Sequence, residues 1–396
     1  MTEGTPARCP PPTPHLKTLA FVCNDTLTLD LFRGGIIRRF LSGGYEVHVL
    51  APFHTRATQL IAKGAHFTDI DVRTFSTHPI RELRLLRRLH SLYEKIRPDL
   101  IFHFTIKINI YGTVAARRLG IPCVNVAPGL GTFPDVEQPL LRKVLNHGYA
   151  YAAKHAQEFW FLNEHDRAYF DSRGWLEETY ARVLPGEGLD TAYYESSPLP
   201  ERRSDFKVLF VGRLLVTKGA RVFAEAAAIA RERKLPLCFE LVGFLQEHNP
   251  DAVTSDELYD WVHDGRLTYH GAADDTRPFY RDADIVVLPT HFREGLNRVI
   301  QEALSCGRPV VTTDVPGAGE LVDHEKTGYL VPTDDPGAVV EALAYHFSLK
   351  PAQRAEMGRL ARRHVVERYH EAQVHQHYFS AVARLANRLR ETDAPS

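Results

Sequence analysis

Cysteine is scarce in this 396-residue chain: Cys9, Cys23, Cys123, Cys238 and Cys306 are odd in number, scattered, and never in a C-x-x-C spacing. That excludes a disulfide framework and a thiolate zinc site, and it suits a reducing compartment. Net charge is also nearly absent, at −1, so no global charge points to nucleic acid. No apolar run approaches the roughly 18–20 residues that a spanning helix needs. The opening MTEGTPARCPPPTPH lacks the apolar stretch of a secretion signal and reads as a frayed arm over 1–16. These absences predict a soluble cytoplasmic protein, attached at most to the inner face of the cell membrane.

Several motifs are missing too. K-V-L-F-V-G-R-L-L-V-T-K-G (207–219) does not fit the P-loop pattern. No strand–GxGxxG–helix exists, since Gly129-Leu130-Gly131 is followed by Pro134 and Gly186-Glu187-Gly188 by Thr191, which argues against a dinucleotide oxidoreductase. No D-x-D stands near a strand end, and Asp274-Asp275 and Asp334-Asp335 read as turn caps, so no metal ligand set and no cofactor are expected.

What is present is a strand–helix rhythm that runs twice. Short apolar runs at 19–23, 45–52, 99–104, 121–127 and 158–163 alternate with helical patterns that end at Gly or before Pro. The rhythm restarts at 207–212, 237–243, 266–271, 284–289 and 308–314. The fold class predicted is α/β, with two Rossmann-like doubly wound domains at 17–190 and 206–370 facing across a cleft. A proline-bearing linker is expected at 191–205, and a polar C-terminal helix and tail at 371–396, lying on the surface.

Two stretches could carry chemistry. In L-P-T-H-F-R-E-G-L-N-R-V-I-Q-E-A-L-S-C-G (288–307) a strand ends, a loop passes through Arg293-Glu294-Gly295, and a helix is expected from about Leu296 to Cys306 with Glu302 two turns inside. The helix N-terminus suits a diphosphate, and carboxylates at two levels suit sugar and ribose hydroxyls. In 207–230, Arg213 follows a strand and Lys218-Gly219 opens a helix, two cations that complement a diphosphate. A third stretch is basic: Arg81, Arg84, Arg87 and Arg88 with interleaved leucines make helix 80–96 amphipathic. Such a face is either solvated or attracted to anionic lipid.

Glu294/Glu302 as E-x7-E, F-V-G-R-L-x3-K-G at 210–219 and the following G-R-P-V-V-T-T-D-V-P-G resemble the retaining GT-B glycosyltransferases of family four. LDLFRGGIIRRFLSGGYEVHVLAP, TIKINIYG (105–112), PGLGTF (128–133), NEHD (163–166) and LPGEGLD (184–190) are similar to the subgroup that extends polyprenyl-diphosphate-linked saccharides from UDP-sugars. The resemblance implies that Arg213 and Lys218 hold the donor diphosphate, Glu302 the ribose and Glu294 the sugar, with Gly295, Leu296 and Asn297 around them. It implies that Gly34, at the first strand–helix turn, approaches the diphosphate, and that loop 103–109 with His103, Lys107 and Asn109 lines the acceptor side. Asn297 stands where many relatives have Pro, and Ala318-Gly319 where a Cys-Arg pair is common. The activity implied is retaining, metal-independent transfer from a UDP-sugar to a lipid-linked saccharide. A soluble acceptor, a GT-B UDP-sugar epimerase and a non-catalytic binding partner are the alternatives.

Overall fold

The computed structural model describes residues 8–72, 78–131, 133, 137–200, 205–246 and 249–393. They form two compact units, one comprising the chain up to Gly188 together with the chain from Glu371, the other Leu189–His370.

In the first unit, β1 (Thr18–Val22), β2 (Glu46–Ala51), β3 (His66–Asp69), β4 (Leu100–Phe104), β5 (Cys123–Ala127), β6 (Glu158–Phe161) and β7 (Tyr180–Val183) form one parallel sheet in the order β3-β2-β1-β4-β5-β6-β7. The central strands are buried along their whole length, as a sheet covered on both faces requires. Its helices are α1 (Thr26–Ser42), α2 (Ala57–Ala62), α3 (Pro79–Ile96), α4 (Ile106–Arg118), α5 (Pro139–His155) and α6 (Glu164–Asp171). Strands β3 and β7, each four residues long and half-polar, escaped the sequence pattern.

The second unit carries β8 (Phe206–Val211), β9 (Leu237–Val242), β10 (Thr268–Tyr269), β11 (Ile285–Leu288), β12 (Val310–Thr313) and β13 (Gly328–Val331), parallel in the order β10-β9-β8-β11-β12-β13. Helices α7 (Ala220–Glu232), α8 (Ser255–His263), α9 (Arg277–Asp282) and α10 (Arg298–Ser305) connect them, and α11 (Pro336–Ser348) and α12 (Pro351–Arg368) follow β13. Both sheets are doubly wound α/β, as expected.

Three expectations need correction. The C-terminal helix, α13 (Glu371–Asp393), does not merely lie on the surface. Val374, Tyr378, Phe379, Val382 and Leu385 recur at helical spacing, and they enter the core of the first unit beside Phe21, Phe40, Phe102 and Trp160. The Tyr378 ring centre is 4.9 Å from that of Trp160 and 5.0 Å from that of Phe102. The helix looked polar because its outer face is charged, and Arg384 is spent on Glu158, with Nη2 2.6 Å from Oε1.

The arm is also not wholly frayed. Residues 1–7 lie outside the described residues, but Leu16 is fully buried and the Tyr45 hydroxyl donates to the Pro11 carbonyl at 3.3 Å. The expected linker, finally, is not a separate segment, since the chain from Leu189 belongs to the second unit. Residues 201–204 lie outside the described residues. The buried Arg308 guanidinium donates to the carbonyls of Ser197 and Pro198, each at 3.0 Å, and Arg362 donates to those of Thr191 (2.9 Å) and Tyr194 (2.8 Å). Guanidinium donors satisfy backbone carbonyls that a coil would otherwise leave to water.

Candidate functional site

In the second unit a group of polar side chains stands beyond the carboxyl ends of β8 and β11. Beyond β8 the chain passes through the exposed Arg213 to Lys218 and Gly219, which caps α7. Gly219 has φ +81°, and a Cβ there would stand 2.3 Å from the Pro289 carbonyl oxygen, so only glycine lets the two loops meet. The Thr217 carbonyl reinforces the contact by accepting from the His291 amide (3.0 Å) and the Thr290 hydroxyl (2.9 Å). Lys218, 8 % exposed, thereby reaches Glu294: Nζ donates to Oε1 at 2.6 Å. The ammonium also stands 5.2 Å from the centre of the Phe292 ring.

Asn297 holds the same carboxylate oxygen from the other side, its Nδ2 donating at 2.5 Å. Its Oδ1 accepts from the Ile300 amide at 3.1 Å, which makes Asn297 the N-cap of α10. This cap starts the helix at Arg298 rather than at Leu296, and Glu302 therefore sits one turn inside it, not two. Gly317 closes the loop from behind: its carbonyl accepts from the Asn297 amide at 2.7 Å, and with φ +84° a Cβ would fall 2.3 Å from the Glu294 carbonyl oxygen. Glu302 is held at both oxygens, by Arg298 Nε on Oε1 at 2.8 Å and by the Tyr280 hydroxyl on Oε2 at 3.0 Å. Buried carboxylates persist in this way, by being paired and hydrogen-bonded.

The structure thus places Lys218, Glu294, Gly295, Leu296, Asn297 and Glu302 on adjoining loops and one helix, with Arg213 just past the neighbouring strand end. Of the acids expected to cap turns, Asp335 caps α11 by accepting from Ala338 at 2.8 Å, whereas Asp275 pairs with the Arg277 guanidinium and Asp334 stands 3.2 Å from His291 Nδ1. Tyr280 and Arg298 carry no motif that would have singled them out.

Three residues of the first unit stand otherwise than expected. Gly34 is not at the first strand–helix turn. Asp25 accepts from the Leu27 and Thr28 amides and starts α1 at Thr26, so Gly34 lies more than two turns inside that helix. A Cβ there would stand 3.0 Å from Asp30 Oδ1, a tight contact with the end of a side chain. His103 is the last residue but one of β4 and fully buried, its Nδ1 2.9 Å from Asn125 Oδ1 and its Nε2 3.0 Å from the Tyr93 hydroxyl. Burial pushes its pKa down to about 4, so it stays neutral in the core. Asn109 is likewise fully buried and donates to the Val126 carbonyl at 3.0 Å. Neither lines a surface. Lys107 is half-buried in the first turn of α4 and pairs with Glu82 at 2.8 Å.

Sequence reasoning passed over Thr105, between β4 and α4. It has φ +73° and ψ 160°, a region nearly closed to a β-branched residue, and its buried hydroxyl has no hydrogen-bond partner among the described residues. Strain of this kind costs on the order of 1–3 kcal/mol and concentrates at functional sites.

Chemically, the second unit offers two cations at strand ends, two helix N-termini and two carboxylates held at fixed depth. Such a set can take up a diphosphate and hydroxyl groups together. Because Asn297 is both cap and clamp, Asn297→Ala is predicted to destabilise the second unit by about 0.5–2 kcal/mol, read by urea unfolding. Unchanged stability would mean that the cap contributes nothing.

Two family profiles match the chain: one described as glycosyl transferases group 1 over residues 205–348, the other as glycosyl transferase 4-like over residues 20–162. The chain is 32 % identical over 365 residues to a D-inositol 3-phosphate glycosyltransferase of Pseudarthrobacter chlorophenolicus, covering 82 % of this chain and 84 % of the relative. It is 26 % identical over 325 residues to the N,N'-diacetylbacillosaminyl-diphospho-undecaprenol alpha-1,3-N-acetylgalactosaminyltransferase of Campylobacter jejuni, covering 78 % and 84 %. Among solved structures, Anabaena Alr3699/HepE in complex with UDP and glucose superposes with a TM-score of 0.72 at 19 % identity, over 96 % of this chain and 99 % of that one, a likeness of fold. Matches to both halves, and identity sustained over most of a relative's length, show that the chain belongs to the family-four glycosyltransferases of GT-B fold.

Proposed function

We propose that the protein transfers a sugar, an N-acetylhexosamine or a hexose, with retention from a UDP-sugar to a polyprenyl-diphosphate-linked saccharide in cell-surface glycan synthesis. The observation that carries the donor half is the Lys218–Glu294 contact beside the start of α10. Arg213, Lys218 and the helix N-terminus stabilise the charge that grows on the leaving diphosphate, which is electrostatic catalysis. Glu294 accepts from the donor sugar's hydroxyls and Glu302 from the ribose. In retention the UDP leaves and the acceptor hydroxyl enters on one face, the hydroxyl proton passing to the departing phosphate oxygen.

The lipid-linked acceptor finds support in the Campylobacter relative and in the basic helix. Arg81, Arg84, Arg87 and Arg88 are exposed on α3. The leucines do not serve as first read: Leu85, Leu89 and Leu92 are buried in the core, leaving Ile80 and Leu83 outside. Leu140 and Val144 on α5, 76 % and 57 % exposed, add apolar surface beside the exposed Arg142 and Lys143. Among the described residues no helix is long and apolar enough to cross a membrane, so the attachment proposed is peripheral. A second reading, a soluble phosphorylated acceptor, is favoured by the higher identity to the inositol 3-phosphate enzyme. In either reading Thr105 and Lys107, at the carboxyl end of β4, are the acceptor-side residues.

Incubation with a panel of UDP-sugars and a short polyprenyl-diphosphate-linked sugar is expected to release UDP only when both substrates are present. Hydrolysis or epimerisation of the donor alone would overturn the reading. Turnover is expected to persist in excess EDTA, because Arg213 and Lys218 supply the positive charge; loss restored by Mg²⁺ or Mn²⁺ would contradict this. Thr105→Gly is expected to raise the unfolding midpoint by relieving strain while raising the acceptor KM and sparing UDP affinity. A lower midpoint would show that the backbone is not strained. Anionic vesicles should bind the protein at low salt and neutral ones should not. Changing the four arginines to Gln should abolish that binding, whereas indifference of the wild type to anionic vesicles would put the soluble acceptor first.

A further inference from the structure

The first unit holds a second polar cluster on β2 and β3, unrelated to the donor residues. In the parallel register His48 of β2 lies opposite His66 of β3, and Glu46 lies opposite Thr18 of β1. The pleat repeats every second residue, so Glu46 and His48 share one face. Both imidazoles turn their Nε2 to the same oxygen, Glu46 Oε1: His48 at 3.0 Å and His66 at 3.7 Å. The two rings are 4.8 Å apart between centres and inclined by 25°. One candidate ligand atom from each of the three residues lies within 4.8 Å of the other two. The other carboxylate oxygen accepts from the Thr18 hydroxyl at 3.3 Å, which steadies the carboxylate from outside the cluster.

A hydrogen bond accounts for His48 but not for His66, since 3.7 Å is too long for one. Two imidazole nitrogens and one carboxylate oxygen converging on a point are the donor set of a three-ligand zinc site, with the fourth position left to water. At bond lengths of about 2.0–2.1 Å the ligand atoms of a tetrahedral zinc ion stand about 3.3 Å apart, and the two observed distances fall on either side of that value.

We propose that Glu46, His48 and His66 form a binding site for a borderline-soft divalent metal ion, Zn²⁺ by preference. Its place in the fold fixes what it does. All three residues belong to the amino-terminal ends of their strands, the opposite edge of the sheet from Thr105, and so the ion takes no part in glycosyl transfer. β3 is a four-residue edge strand paired on one side only, and a metal bridge from His66 to Glu46 and His48 clips it to β2. His66, with 61 % of its side chain exposed, gives the ion an entry path, while His48 at 15 % is the anchored ligand.

The test uses the full, untagged chain, freed of metal, and Zn²⁺ alone as the probe in calorimetry and thermal unfolding. One equivalent is expected to bind saturably and to raise the unfolding midpoint, since a ligand that binds only the folded state stabilises it. His66→Ala, an exposed position that leaves the metal-free midpoint unchanged, is expected to weaken Zn²⁺ by at least about 10-fold, the least that even an outer-shell change costs. It should also abolish the midpoint shift. Glu46→Gln should do the same, and Mg²⁺, which demands oxygen ligands, should not bind. Transfer activity of His66→Ala should match the wild type. Absence of saturable Zn²⁺ binding, or binding undiminished in both variants, would overturn the proposal.

Discussion

The site proposed in the second unit depends on one charged contact, Lys218 Nζ to Glu294 Oε1 at 2.6 Å. The two residues are brought together from different loops, at the ends of β8 and β11, and an ammonium this buried has to be paired. The surrounding chain is shaped to allow it. Gly219 and Gly317 occur where a Cβ would strike the Pro289 and Glu294 carbonyl oxygens, so backbone touches backbone on both sides of the carboxylate. Asn297 then ties that carboxylate to the start of α10. A cation, a carboxylate and a helix N-terminus are fixed relative to one another before any ligand arrives, which is how electrostatic preorganisation is built.

Glu302 is a separate case. Its oxygens are divided between Arg298 and Tyr280, and its depth in the fold is set by those partners rather than by its place in the motif. In the first unit the polar interior serves structure instead: His103, Asn125 and Tyr93 satisfy one another, and Asn109 donates to the Val126 carbonyl while its buried Oδ1 has no hydrogen-bond partner among the described residues. Thr105 adds backbone strain to a buried hydroxyl that has no partner among the described residues, at the carboxyl end of β4. Strain and an unmet hydrogen bond in one residue are the ground on which Thr105 is proposed for the acceptor side.

Most of the architecture was legible because buried strands are largely apolar runs, and β1, β4, β5, β8 and β11 are such runs, interrupted only by Thr18, His103, Asn125 and Lys207. The strands that escaped, β3, β7 and β13, are four residues long and lie at or near sheet edges, where polar residues are tolerated. Gly34 was placed at the first strand–helix turn, whereas the capping carboxylate of Asp25 starts α1 at Thr26. The tail misled in the opposite direction: its charged residues dominate the composition, yet Val374, Tyr378 and Leu385 keep helical spacing into the core. The residues proposed to hold the donor stand out in the sequence through their spacing, Glu294 to Glu302 and Arg213 to Lys218. That Asn297 both caps and clamps could not be read from spacing, because it depends on a side chain bonding in two directions. His103 and Asn109 were carried by resemblance alone, and burial removes them from any surface.

The most direct measurement is the affinity of UDP for the wild type, Lys218→Met and Arg213→Ala by titration calorimetry. A charge-assisted hydrogen bond to a phosphate contributes about 1.5–3 kcal/mol, so each variant is predicted to bind UDP about 10- to 100-fold more weakly. Wild-type affinity in both variants would contradict the account and remove the donor site from these loops.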